Sequence, residues 1–128
     1  MFDYTVNTRK TKDEAVKAVE ECLSEVKFGV LWNFDMTATL QKKGQDFETP
    51  VTILEVCSPA AAAKMLKEDL RASYLLPCKI VVYEQGGSVK IGMPKPTATL
   101  GLMENAEIRS LAEEVEGILK SCIDKAAQ

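Results

Sequence analysis

Few side chains in this sequence can do chemistry, and the residue types it lacks constrain it as firmly as those it has. The 128 residues include four cysteines, 16 Lys+Arg and 19 Asp+Glu, but no histidine. Ser-His and Cys-His nucleophile pairs, imidazole acid–base chemistry and His-containing zinc sites are therefore excluded. Thiol chemistry is what remains. Cys22 and Cys122 fall on apolar stripes at helical spacing, where a cysteine acts as a small hydrophobe. Cys57 differs, because Ser58-Pro59 directly after it reads as a helix start with Ser as N-cap and Pro at the first position. Free N–H groups and the helix dipole at such a start predict a lowered thiol pKa. Cys78 follows the proline-fixed turn Leu75-Leu76-Pro77. If the strands around these two cysteines are neighbours, their thiols meet at one sheet end. A thiolate pair can hold a soft metal ion such as zinc or copper, accept a sulfane sulfur, or cycle to a disulfide. Two cysteines fill only half of a zinc shell, so a zinc site would need a second subunit or carboxylates. Asp35 is the other candidate: it stands in the middle of an expected strand, where Asp has poor β propensity, and suggests a ligand or interface residue.

The elements that must position these groups are legible as periodicities. Strands are expected near 2–8, 30–39, 51–57, 78–84 and 88–93, and long helices near 12–26, 59–71 and 105–125. Thr11-Lys12-Asp13-Glu14 fits a capping box, and Asn105 caps the last helix. In the second strand Val30, Trp32, Phe34, Met36 and Ala38 are expected on the core face, with Asn33, Asp35, Thr37 and Thr39 opposite. A helical turn fits Leu40–Gly44 and a short helical piece Thr97–Met103, while Gln85-Gly86-Gly87-Ser88 reads as a hairpin turn. The order β-α-β-β-α-β-β-α predicts one α+β domain over 1–128, with a largely antiparallel five-stranded sheet and helices on one face.

Charge narrows the partners. Residues 1–64 carry 8 basic and 10 acidic side chains and residues 65–128 carry 8 and 9, so neither half is basic. No cluster of Lys/Arg is available to engage several phosphates, and nucleic acid is not an expected partner. Apolar runs such as Ala60–Ala63 fall far short of the ~20 residues needed to span a bilayer. The start Met1-Phe2-Asp3-Tyr4 has no signal-peptide pattern, which makes the cytoplasm the expected location and reduced thiols the expected state.

Several of these segments together resemble a known family. Phe28-Gly29-Val30-Leu31, Asp35 before Ala38-Thr39-Leu40, Cys57-Ser58-Pro59, Leu75-Leu76-Pro77-Cys78 and Val82-Tyr83-Glu84 before a glycine turn are similar to the pattern of the domain of unknown function 302. The resemblance spans nearly the whole chain. It implies a fold like the TATA-binding-protein-like α+β group and a dimeric state, and it names no activity. Ser58 stands where the family has Asn, and Lys95 precedes Pro96 where an acid is common.

Three readings are open at this stage. The first is a dimeric binding module whose Cys57/Cys78 end binds a soft ion or handles sulfur, its small-molecule ligand unknown. The second is a structural or interaction module with buried cysteines. The third is an enzyme with Cys57 as nucleophile, Lys64 or Lys79 providing a positive neighbour. A two-fold contact through the helix-free sheet face is expected. That face should carry Leu31, Asn33, Asp35 and Thr37, too polar for a core and too short-chained for good solvation.

Overall fold

A computed structural model describes residues 1–128. Five strands form one open sheet: β1 (Asp3–Thr8), β2 (Gly29–Asp35), β3 (Val51–Cys57), β4 (Cys78–Gln85) and β5 (Ser88–Pro94). The spatial order is β1-β5-β4-β3-β2, and every neighbouring pair is antiparallel. Five helices accompany it: α1 (Lys12–Glu25), α2 (Met36–Lys42), α3 (Pro59–Glu68), α4 (Pro96–Thr99) and α5 (Ala106–Ala127), with 3-10 turns at Leu70–Tyr74 and Leu100–Met103. The α+β architecture expected from the sequence is the one observed.

Local chemistry explains the helix starts. Thr11 Oγ1 accepts from Glu14 N at 3.2 Å while Glu14 Oε1 accepts from Thr11 N at 2.9 Å, a complete capping box. Asn105 Oδ1 accepts from Ile108 N at 3.0 Å at the start of α5. The β4–β5 hairpin turns through Gly86 and Gly87, at φ +60° and +78°, a conformation in which glycine carries no Cβ penalty.

A single core lies between one sheet face and the helices. Ala15, Val19 and Leu23 of α1, Ile108, Leu119 and Ile123 of α5, and Met65 of α3 close over Leu54 and Val56 of β3, Ile80 and Val82 of β4, and Ile91 of β5. On β3 the alternation is strict, with Thr52, Leu54 and Val56 buried and Val51, Ile53 and Glu55 turned to the open face.

Two expectations for the second strand fail. The strand ends at Asp35, and Met36–Lys42 is helical. Asp35 Oδ1 accepts from Ala38 N at 2.9 Å and the Asp35 carbonyl accepts from Thr39 Oγ1 at 3.0 Å, so the residue that fits a strand poorly starts a helix. The second failure is one of facing. Val30 pairs with Val56 but Trp32 pairs with Glu55, which leaves Leu31 as an extra bulged residue. A one-residue slip turns every following side chain over. Trp32 and Phe34 therefore share the open face with Ile53, while Asn33 and Asp35 take the parity of Leu54 and Thr52. Trp32, expected in the core, is 58% exposed and stacks edge-on against Phe34 at 5.6 Å.

Candidate metal centre

The antiparallel pairing of β3 with β4 decides whether the two distinctive cysteines meet. Val56 is the register partner of Cys78, and Cys57 is the next residue along β3. Ladder geometry then separates the Cα atoms of Cys57 and Cys78 by about 6 Å. Both residues line one small cavity of about 20 Å³ at the sheet end, with Phe28, Val56, Met65, Leu76 and Val115 among its walls. Cys78 packs against the main core. The sequence expectation of a shared rim is therefore met in geometry, through a register that only the folded sheet defines.

The electrostatics run against one expectation. A helix N-terminus beside Cys57 was expected to lower its thiol pKa; burial instead pushes it up. The local donors are also partly used, because Ser58 Oγ accepts from Ala61 N at 3.4 Å as the cap of α3. Desolvation carries Cys78 further, to about 11, and the neighbouring Cys57 adds to the rise. Neither lysine proposed as a positive neighbour acts on Cys57: Lys79 pairs with Glu55 at 3.3 Å, and no cation contributes to the shift of Cys57. Both thiols are protonated at neutral pH. This disfavours Cys57 as a free thiolate nucleophile and leaves ligation, in which an ion displaces the proton.

The donor set is sulfur. No three His, Cys, Asp or Glu side chains come together in the chain, so one subunit lacks the four ligands of a structural zinc site. Met65 also borders this cavity, and sequence reading misses it. Ser58 caps α3, and residue 65 lies seven positions on, two helical turns later, on the same face. Only that helical phase, combined with α3 docking on the sheet end, could have flagged it.

Cys22 and Cys122 also meet. They belong to α1 and α5, are buried in the core cluster, and approach closely enough that Cys22 raises the Cys122 thiol, after burial as the larger cause. They line the floor of a surface groove crossed by the Lys125–Glu25 ion pair at 3.0 Å. Asp35 stands at the opposite end of the sheet. It borders an open polar cleft with Lys12, Asp13, Gln41 and Glu84, and its carboxylate is engaged in capping α2.

The geometry agrees with what the chain resembles. The family model described as Domain of unknown function DUF302 matches residues 4–126. The crystal structure of an uncharacterized conserved DUF302 protein from Bacillus stearothermophilus is 46% identical in sequence, with a TM-score of 0.95 over 100% of this chain and 99% of that one. No curated protein matches.

Proposed function

The chain belongs to the DUF302 family, and from that premise we propose that it is a homodimeric binding module whose Cys57/Cys78 end takes up a soft metal ion. One observation carries the reading: the β3–β4 register brings two cysteines to one sheet end, where both residues border a single small apolar cavity with room for about one ion or water. Sulfur donors in apolar surroundings select soft ions. Each bound thiol gives its proton to solvent, so uptake tightens as pH rises. Uptake of one soft ion per reduced chain, lost on Cys57→Ser or Cys78→Ser, supports the reading. Uptake that survives both changes contradicts it.

The assembly half rests on the sheet. Its open face carries Trp32, Phe34, Val51, Ile53, Val81 and Tyr83, none of which packs on the helix-side core. The bulge at Leu31 turns two aromatics outward, so the β2–β4 part of this face is more apolar than the sequence led one to expect, flanked by Glu55, Lys79 and Lys90. A half-exposed apolar patch with Trp32 standing out of it suits a contact, and a two-fold axis would cover it with its own copy. The Glu55–Lys79 pair on the same face is self-complementary across such an axis. Sedimentation at micromolar concentration should show twice the 14.1 kDa chain mass, and Trp32→Glu should return it to monomer. A wild-type monomer would end this half of the proposal.

A second reading draws on the partial burial of both cysteines. As packing groups they would close the sheet end without binding anything, and native protein would then take up no ion at all.

A further inference from the structure

We infer that the groove between α1 and α5 is a docking site for a basic amphipathic helix of another protein. The groove lies on the helix side of the sheet, away from the proposed dimer face, and shares no lining residue with the Cys57/Cys78 cavity. It holds about 510 Å³ above Cys22 and Cys122. Val26 of α1 and Ile118 of α5 border it, each 39% exposed, and both are large apolar side chains that the fold leaves uncovered. Gly117 points outward from the chain. It stands in the interior of the 22-residue α5, where glycine is the least favourable residue after proline. The chain itself does not require it: a Cβ at 117 meets no atom within 4 Å, and its φ is not positive. Gly92 differs, because a Cβ there would fall 2.7 Å from Thr5 Oγ1, and Gly86 and Gly87 serve the hairpin at positive φ. The space a side chain at 117 would enter is the groove. Glycine there lets an incoming backbone come close to α5.

Charge and length then select the occupant. Glu25 and Lys125 neutralise each other at 3.0 Å. The other two charged residues of the lining, Glu113 and Glu114, pair with no cation. Three acids against one base leave the groove at −2. An occupant must therefore bring apolar side chains together with positive charge. Along α5 the lining runs from Glu113 to Lys125, roughly 18 Å at 1.5 Å per residue. That is about three helical turns, longer than a compact organic cation reaches. A helix with Lys or Arg beside its apolar stripe supplies the length, the apolar side chains and the charge at once, and helices dock in apolar grooves in this way.

The test is an NMR titration of the full chain with an amphipathic leucine–lysine peptide of about 14 residues, long enough to form a helix. Saturable amide shifts centred on Val26, Gly117 and Ile118 are expected. Gly117→Leu, which fills the groove and leaves the core alone, should weaken binding about tenfold. Gly117→Ala should raise the melting temperature by about 3 °C, since alanine favours the helix, while also weakening the peptide. Charge reversal by Glu113→Lys with Glu114→Lys should weaken binding about tenfold, and Glu107→Lys, outside the groove, should not. A lower melting temperature in Gly117→Ala would assign the glycine to the fold and overturn the inference. So would unchanged affinity in Gly117→Leu, equal loss in Glu107→Lys, or no peptide binding by wild type. Saturable uptake of tetrabutylammonium at the same amides without any uptake of the peptide would overturn the helical occupant.

Discussion

The chain carries two cysteine pairs, and they differ in what surrounds them. Cys22 and Cys122 face each other from two packed helices, beneath a groove rimmed by Glu25, Glu113, Glu114 and Lys125. Cys57 and Cys78 sit at the ends of two paired strands beside an apolar cavity that Met65 also borders. All four thiols are raised above their ordinary pKa, so acidity does not distinguish the pairs. Donor set and enclosed space do. The helix pair packs in a seam beneath an open, charged groove, whereas the strand pair borders a small apolar cavity.

The largest expected effect breaks the two pairs apart outright. Cys57→Ser and Cys78→Ser should abolish soft-ion uptake, whereas Cys22→Ser and Cys122→Ser should leave the stoichiometry at one, as read by native mass spectrometry. Next in size is alkaline stability. The Cys78 thiol titrates near 11 in the folded chain against an ordinary 9.0. The folded state therefore holds that proton more tightly. The stabilisation is fully present below pH 9 and is lost as pH rises through about 11. The loss is on the order of 2 kcal/mol, and denaturant unfolding at pH 8 and pH 11 should show it shrinking in Cys78→Ala. A smaller effect belongs to the helix pair: Cys122→Ala should cost about 1 kcal/mol of stability through lost packing, with ion uptake unchanged. The smallest concerns the ion pair across the same groove. Lys125→Ala should leave the unfolding midpoint almost unchanged, because Lys125 and Glu25 are both well exposed.

What was legible in the sequence divides along the range of the interactions involved. The Thr11/Glu14 box, the Ser58-Pro59 start, the Asn105 cap and the Gly86-Gly87 turn act within about four residues, and each forms as read. The facing of β2 did not follow, because a bulge at Leu31 depends on how the strand meets β3. Asp35 shows the same boundary from the other side. Its poor fit to a strand was visible, but its use as a cap needs Ala38 to come round in a helical turn. At the candidate site the cysteine types and the flanking turns were legible, but their meeting was conditional on a strand pairing that only the folded sheet defines. The burial that reverses the Cys57 shift, and the arrival of Met65, are tertiary facts with no local signature.

The central claim is that the strand-end pair, and not the helix pair, is the soft-ion site. Native mass spectrometry of the reduced chain after anaerobic addition of one equivalent of copper(I) tests it most directly, across wild type and the four single Cys→Ser variants. One bound ion in wild type, Cys22→Ser and Cys122→Ser, with none in Cys57→Ser and Cys78→Ser, is the predicted result. Equal binding in all four variants, or none in wild type, would contradict the claim.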